Sequence, residues 1–259
     1  ACPGRYYNTG ILEPTLMSMA AGLSRSGLRP VLHTITPFLI ERSFEQLKLD
    51  FCYQKLSGNI VTVGSAFDYA SLGCTHHCYG DFALLKTLEG VRITYPGSAL
   101  EFDSLFRQTY RSGLNYFRIP ERSHSFEFPV TFGKGVKVAD GKDVTIIATG
   151  PQLDNAISAR FLLLAKGIQA EVLYAHTIRP LDVDLIGTSL DKTGAVVVVE
   201  EHITYGGFGD EVLRLMPRRF ASVSIPDFVR DYGTYDDHCK ALGFTPENIA
   251  SQAEALCTR

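Results

Sequence analysis

The run Gly194-Ala195-Val196-Val197-Val198-Val199-Glu200 restricts the fold more than any other stretch of the sequence. It is apolar and rich in β-branched residues, and it lacks the alternation of a strand with one solvent-exposed face. A strand covered on both faces is typical of a parallel sheet, whose crossover helices pack on its two sides. The run therefore predicts an α/β fold.

Strand-like and helix-like segments alternate along the chain with one interruption, at residues 121–135, which lack periodicity. The predicted strands are 31–35, 59–64, 91–96 and 115–119 before it, and 144–150, 170–175, 194–200 and 221–225 after it. We predict two consecutive three-layer α/β domains with mostly parallel sheets, at 1–125 and 133–259, joined by a linker at 126–132.

Two helices are predicted in detail. Residues 5–13 are expected to be a strand end and a glycine turn, and Pro14 then fits the first turn of a helix. The apolar side of that helix is predicted to consist of Leu16, Met19, Ala20 and Leu23. Residues 38–51 are predicted to form one amphipathic helix with Phe44, Leu47 and Phe51 on its buried face.

Composition excludes several classes of protein. The 259 residues have a net charge of −3 and no basic block, which argues against binding to nucleic acid. No apolar run approaches the roughly 20 residues of a membrane span. Six scattered cysteines favour reduced thiols and a cytoplasmic protein over a disulfide scaffold. They are Cys2, Cys52, Cys74, Cys78, Cys239 and Cys257.

Two candidate site residues are charged groups in apolar surroundings. Glu13 is a carboxylate at a predicted helix start, either a charge favoured by the helix dipole or a group held in a dry pocket to exchange a proton. Arg118 lies within the apolar strand Tyr116-Phe117-Arg118-Ile119. A buried arginine needs an anionic partner, which could be a carboxylate of the protein or an anionic group of a substrate.

Three loops contain further candidates. Residues 74–78, Cys-Thr-His-His-Cys, include metal-ligand types, but adjacent histidines seldom reach one ion, so we expect no metal site. A histidine in this loop is better placed for substrate contact, because parallel sheets form their sites at the carboxyl ends of strands. Residues 206–209, Gly-Gly-Phe-Gly, favour a tight strand-to-helix turn over a phosphate cradle. Residues 200–202, Glu-Glu-His, could either form part of a functional site or make a contact between domains.

The order of these motifs resembles the transketolase family. Segments similar to its pyrimidine-binding domain are residues 5–13, 27–30, 38–46, 72–77, Asp81 and 95–96. Segments similar to its C-terminal domain are residues 145–150, 176–182, 199–202 and 206–209. The resemblance covers essentially the whole chain. It is strongest to the C-terminal subunit of a split transketolase, in which a separate chain carries the diphosphate-binding domain. A first strand and helix usually precede the segment matching 5–8, so we expect the N-terminal strand to be missing.

The resemblance implies roles for individual residues. Glu13 would hydrogen-bond the aminopyrimidine ring of thiamine diphosphate and share a proton with it. Phe38 would stack on that ring, and Phe44 is either a second aromatic residue of the pocket or a core residue. His76 would face the reacting carbons and take part in catalysis. The residues implied to contact substrate are His76, Asp81 and Arg118.

The resemblance also implies partners and a reaction. A diphosphate-binding subunit would hold Mg²⁺ (or Ca²⁺) in an α2β2 heterotetramer with the site between chains. The enzyme would transfer a two-carbon ketol unit between sugar-like molecules. Gly64 and Leu72 stand where the family has a histidine and an aspartate that contact substrate. The alternatives are a 1-deoxyxylulose-5-phosphate synthase-like subunit, a 2-oxoacid dehydrogenase beta-like subunit, and a non-catalytic scaffolding or regulatory homologue.

Overall fold

The computed structural model describes residues 3–257, and its first half alternates helices with strands. Short 3₁₀ turns lie at Pro3–Arg5 and Ala70–Thr75, and a π-helix lies at Leu47–Cys52. The other elements of this half are α1 (Glu13–Arg25), β1 (Val31–Ile35), α2 (Thr36–Ile40), α3 (Phe44–Gln46), β2 (Gly58–Val63), α4 (Asp81–Lys86), β3 (Val91–Thr94), α5 (Ala99–Thr109) and β4 (Leu114–Ile119).

The second half repeats the alternation after the segment 120–135, which has neither helix nor strand. Its elements are β5 (Val136–Ala139), β6 (Val144–Ala148), a 3₁₀ turn (Gly150–Gln152), α6 (Leu153–Ala165), β7 (Ala170–Tyr174), β8 (Thr177–Arg179), α7 (Val183–Thr193), β9 (Ala195–Ile203), α8 (Phe208–Leu213), β10 (Arg219–Ile225), α9 (Tyr235–Leu242) and α10 (Pro246–Cys257). Strand β9 contains the valine run and is buried along almost its whole length, as the missing alternation predicts.

The strands form two sheets of five strands each. Their orders are β1-β2-β4-β3-β8 and β10-β9-β6-β7-β5. Neighbouring strands are parallel except for the pairs β3–β8 and β5–β7, which are antiparallel. The predicted α/β class with mostly parallel sheets is therefore confirmed.

The two halves are packed against each other. Strand β8 comes from the second half of the chain but extends the sheet of the first half by pairing with β3. In the opposite direction, Phe67 from the loop after β2 enters the core of the second half, where its ring centroid lies 5.1 Å from that of Tyr235 and 6.0 Å from that of Phe244. The domain ranges 1–125 and 133–259 stay a prediction.

Helix α1 begins at Glu13 as expected, and the prediction of its buried face is correct for Leu16 and Ala20 but wrong for Met19 and Leu23. Met17, Ala20 and Ala21 face the core, whereas Met19 and Leu23 are exposed. Both sides of the helix carry apolar residues, so spacing alone could not tell which of them packs on the sheet. One apolar side of α1 is therefore open to solvent in this single chain.

The predicted helix at 38–51 is interrupted at residues 41–43. The Ser43 hydroxyl donates to the carbonyl of Phe38, which offers the backbone an alternative to a continuous helix. The predicted buried face is nevertheless correct, since Leu47 and Phe51 are fully buried and Phe44 packs against the same core.

Other differences concern short elements. Residues 6–12 are irregular instead of a strand end, and they pair with no strand of the part described. Strands β5 and β8 and helix α9 were not predicted. None of the helices within residues 3–257 combines the length and the apolar character that a membrane span requires. The five cysteines described, Cys52, Cys74, Cys78, Cys239 and Cys257, are free thiols, and Cys2 lies outside the described residues.

Candidate active site

Glu13 lies at the N-terminus of α1 with its side chain turned into the protein. The residue is only 7% exposed, which favours a carboxylate held in a pocket over a charge on the surface of the helix start. The preceding residue, Leu12, caps the helix without a side-chain hydrogen bond, and proline follows in the first turn. The Glu13 carboxylate is thus nearly buried at an otherwise uncapped helix start.

The sequence predicted purely apolar surroundings for Glu13. The structure instead places the charged side chain of Arg42 beside it. Arg42 Nη1 donates to Glu13 Oε2 at 2.9 Å. The Cζ atom of Arg42 lies 4.3 Å from the ring centroid of Phe38, which is a cation–π contact. Arg42 therefore joins the carboxylate of Glu13 to the aromatic ring of Phe38.

His76 lies next to Phe38. Their ring centroids are 5.3 Å apart in an edge-on arrangement, and the ring of Tyr69 meets His76 edge-on at 6.2 Å. Thr75 Oγ1 lies 2.9 Å from His76 Nδ1 and engages that nitrogen. His76 is half-buried, which leaves part of the imidazole accessible.

The fold explains why these residues meet. Strands β1 and β2 are parallel neighbours, so α2, which carries Phe38, and the loop with His76 both start from the same edge of the sheet. Helix α1 precedes β1 and packs against α2, which brings Glu13 to this edge. Sites of open parallel sheets form at the carboxyl ends of strands. The structure thus brings together the predicted site residues Glu13, Phe38 and His76, which come from three separate segments of the sequence.

A tight backbone turn shapes the loop that carries His76. Gly73 has φ of +69°, and a Cβ atom there would lie 2.5 Å from the ring of Tyr232. Glycine is therefore required both for the backbone conformation and for the close approach of the second half of the chain. Tyr79 fixes the end of the loop by accepting from the backbone N–H of Val229 at 2.9 Å.

Phe44 is half-buried and packs against the core under the first sheet. The described ring contacts at the site join Phe38, His76 and Tyr69 and do not include Phe44. Of the two alternatives for Phe44, this placement favours the core residue.

Asp81 and Arg118 form an ion pair in the protein interior. Arg118 Nε lies 3.5 Å from Asp81 Oδ2, and both side chains are fully buried. The Tyr116 hydroxyl donates to the same carboxylate oxygen at 2.6 Å. Burial raises the pKa of Asp81, while Arg118 and the hydrogen bond from Tyr116 act in the opposite direction. The geometry favours a protein carboxylate as the partner of Arg118 over the substrate contact that the resemblance implies.

The segment after the valine run orders a loop and joins the two halves. Glu200 accepts hydrogen bonds at 2.7 Å from the backbone N–H groups of Phe208 and Gly209, so these amides are not free to cradle a phosphate. Burial raises the pKa of Glu200 to about 7. The Glu201 carboxylate accepts from Tyr95 OH at 3.0 Å and from Gln152 Nε2 at 2.7 Å. These contacts support a strand-to-helix turn at residues 206–209. They also support a domain contact at residues 200–202.

The cysteines and histidines of residues 74–78 do not converge. Cys74 is exposed, whereas His77 and Cys78 are buried. Burial lowers the pKa of His77 to about 4, and its ring lies edge-on to that of His238 at 5.4 Å between centroids. Within residues 3–257, no three His, Cys, Asp or Glu side chains are grouped closely enough to hold a metal ion.

Comparisons with known proteins identify the family of the chain. Residues 2–125 match the protein-family model described as the transketolase pyrimidine binding domain, and residues 133–249 match that of the transketolase C-terminal domain. A subunit of the apulose-4-phosphate transketolase of Phocaeicola vulgatus is 31% identical over 260 residues, which cover 97% of this chain and 83% of that protein. The chain belongs to the transketolase family.

Two further comparisons show the breadth of the transketolase family. A solved structure described as a split gene transketolase, inactive beta4 tetramer, superposes with a TM-score of 0.89 at 29% identity and covers 100% of this chain and 85% of that chain. The 1-deoxy-D-xylulose-5-phosphate synthase of Symbiobacterium thermophilum is 32% identical over 272 residues, which cover 99% of this chain and 41% of that protein. The chain is therefore a transketolase-type subunit.

Arg42 and Tyr69, which contact the candidate site residues, were not predicted from the sequence. Arg42 lies in the interruption at 41–43 of the predicted helix, and its side chain contacts Glu13 and Phe38. Its position four residues after an aromatic residue was the one available signal. Tyr69 lies in an irregular loop, where no periodicity indicates which way a side chain points.

Proposed function

We propose that this chain is the pyrimidine-binding subunit of a cytoplasmic, thiamine-diphosphate-dependent split transketolase. The enzyme transfers a two-carbon ketol unit between a sugar-like donor and acceptor. It acts as an α2β2 heterotetramer with a diphosphate-binding subunit, which holds Mg²⁺ (or Ca²⁺), and the site lies between the chains. The proposal rests on the meeting of Glu13, Phe38 and His76 at one edge of the first sheet in a chain of this family.

The residues present fit the pyrimidine end of thiamine diphosphate. Glu13 offers a nearly buried carboxylate oxygen at a helix start, and Phe38 offers a half-buried ring linked to it through Arg42. When bound, thiamine diphosphate supplies the electron sink for breaking a bond next to a carbonyl group. The chain itself orients the aminopyrimidine with Phe38 and holds a proton at Glu13.

His76 is proposed to bind the substrate. Thr75 engages Nδ1 at 2.9 Å, which fixes the ring and leaves Nε2 to donate to, or accept from, a hydroxyl or carbonyl oxygen next to the reacting bond. The edge-on contacts with Phe38 and Tyr69 hold the imidazole plane in place. This arrangement suits a hydroxylated donor better than one without hydroxyl groups.

A 1-deoxyxylulose-5-phosphate synthase-like activity is the second candidate. The chain is 32% identical to the Symbiobacterium thermophilum enzyme and 31% identical to the apulose-4-phosphate transketolase subunit, so sequence identity does not separate the two activities. Product analysis with pyruvate or with ketose donors separates the two activities, since only the pyruvate reaction releases carbon dioxide. Apulose 4-phosphate belongs in the ketose panel, because a relative is named for it. The Thr-His-His sequence at 75–77 and Asp81 disfavour a 2-oxoacid dehydrogenase beta-like subunit.

Replacing Glu13 with Gln tests the proposal and the non-catalytic alternative. In the complex with a diphosphate-binding partner, Glu13→Gln is expected to lower thiamine-dependent turnover by about 10²- to 10⁴-fold, the usual contribution of a positioned proton-transfer group. Glu45→Gln, at an exposed glutamate in α3, is the matched control and should keep full activity. Full turnover by a correctly folded Glu13→Gln complex would show that Glu13 has no such role.

A further inference from the structure

The described side-chain contacts of Arg42 are both to groups that the proposed function assigns to the cofactor. Its Nη1 atom donates to Glu13 Oε2 at 2.9 Å, and its guanidinium carbon lies 4.3 Å from the centre of the Phe38 ring. A guanidinium is planar and carries hydrogen-bond donors at its edge. An aminopyrimidine is also planar with donors at its edge, so Arg42 offers Glu13 and Phe38 the same two kinds of contact.

The two contacts compete with a bound heterocycle. The Glu13 carboxylate is buried enough that its hydrogen-bonding partners come from the protein or from a ligand. A ring that contacts both Glu13 and Phe38 would need the space that the guanidinium of Arg42 occupies next to these two side chains. A ring stacked on Phe38 likewise needs an uncovered face of that side chain.

The exposures of the two partners indicate which of them can move. The side chain of Arg42 is 46% exposed, whereas that of Glu13 is 9% exposed. Arg42 can therefore turn into water, where its charge is solvated, at the cost of a half-exposed ion pair. Glu13 cannot follow it, because α1 and the core hold the carboxylate in place. Displacement leaves a nearly buried acceptor, which only an incoming donor can satisfy.

We infer that Arg42 occupies the aminopyrimidine end of the site in the free chain and that binding of thiamine diphosphate displaces it. Arg42 is then a positioning residue that keeps the carboxylate of Glu13 and the ring of Phe38 together before the cofactor arrives. Its removal should strengthen cofactor binding, because the cofactor no longer competes with an internal group. The inference rests on the proposed function, since it takes Glu13 and Phe38 to be the cofactor contacts.

Calorimetric titration of the complex with thiamine diphosphate and Mg²⁺ tests the inference through a binding constant and not through activity. The complex contains this full chain and a diphosphate-binding partner. The Kd of Arg42→Ala is expected to be about three- to tenfold lower than that of the wild type, which corresponds to losing one half-exposed ion pair and one cation–π contact. Arg42→Gln, which keeps polar contacts but removes the charge, should give a smaller decrease and serves if the alanine variant folds poorly.

Arg107→Ala is the matched control, because Arg107 is an exposed arginine that pairs with Asp103 within α5 at 2.7 Å. Its Kd should equal that of the wild type. An unchanged or higher Kd for both Arg42 variants, with the wild type binding normally, would overturn the inference and leave the proposed function intact. A wild-type complex that binds no thiamine diphosphate would overturn the proposed function and the inference together.

Discussion

Arg118 carries a full positive charge in the protein interior, where several groups stabilise it. Its guanidinium lies between the rings of Phe82 and Tyr95, at 4.7 and 4.6 Å from their centroids. Nη2 donates to the backbone carbonyl of Glu201 at 2.8 Å, and Nε faces Asp81. Because these groups come from both halves of the chain, Arg118 links the two sheets as well as neutralising Asp81.

Asp81 and Arg118 should contribute unequally to stability. Asp81→Asn leaves a buried arginine that cannot lose its proton, and we expect a loss of about 3–5 kcal/mol in the free energy of unfolding. Arg118→Met should cost less, because Asp81 can take up a proton once its partner is gone. Denaturant-induced unfolding of both variants and of the double variant measures the difference. A substrate-binding role would instead raise KM and leave the unfolding midpoint unchanged.

The site residues show what the sequence could and could not predict at this scale. Resemblance selected Glu13, Phe38 and His76, and the structure places them together. The apolar strand around Arg118 predicted a buried charge, but the sequence could not choose between Asp81 and a substrate as its partner. That choice depends on the approach of α4 to β4, which are well separated along the chain.

At the scale of elements, the carboxyl end of β9 is where the second sheet contacts the first half of the chain. His202 stacks on Phe82 with ring centroids 5.1 Å apart and planes 3° from parallel. Its Nδ1 atom lies 2.7 Å from the carbonyl of Ile203, and its Nε2 atom accepts from the backbone N–H of Ala83 at 3.3 Å. One nitrogen must therefore be protonated and the other unprotonated, so the histidine is neutral in this arrangement.

His202 should make the protein sensitive to acid. Burial, with a smaller effect of Arg118, lowers the pKa of His202 to about 3, against about 6.5 in an unfolded chain. The folded protein then binds fewer protons, so the stability from neutral His202 is present above pH 6.5 and is lost as the pH falls toward 3.

His202→Gln keeps an acceptor for Ala83 and removes the titration. Between pH 6.5 and 3, the free energy of unfolding of His202→Gln should fall less steeply than that of the wild type. The two slopes should differ by up to about 1.4 kcal/mol per pH unit. His33→Gln, at an exposed histidine of β1, should keep the wild-type slope. Parallel slopes for the wild type and His202→Gln in chemical denaturation would contradict this interpretation of the contact.

The periodicity of apolar residues in the sequence predicted the long strands and helices well. It predicted short elements, and helices with apolar residues on two sides, poorly. The valine run of β9 gave a correct buried strand because a doubly covered strand has a distinct composition. Strand β8, with three residues, is too short to show a period, and its pairing with β3 is a contact between the two halves. Helix α1 carries apolar residues on two sides, and only packing decides which side faces the core.

At the scale of the whole molecule, the exposed apolar side of α1 adjoins the candidate site. Ile11 and Leu12 directly precede Glu13 and are 86% and 53% exposed, and Met19 and Leu23 continue the apolar surface along the helix. Contiguous exposed apolar residues of this kind mark contact surfaces. If the site is completed by a partner chain, as proposed, that chain must approach Glu13 across these residues.

Leu23→Glu tests this arrangement of the assembly. A charge placed on the apolar side of α1 should weaken association by about tenfold or more, because a desolvated carboxylate without a partner costs over about 1.4 kcal/mol at an interface. The fold itself should be unaffected, since Leu23 is exposed in the single chain and does not contribute to the core. Sedimentation velocity of the chain with its diphosphate-binding partner measures the loss of the larger species.

Phe161→Glu, at an exposed apolar residue of α6 in the second half, is the matched control and should assemble normally. Normal assembly of Leu23→Glu would place the partner on another face and leave the exposed side of α1 unexplained by the proposed heterotetramer.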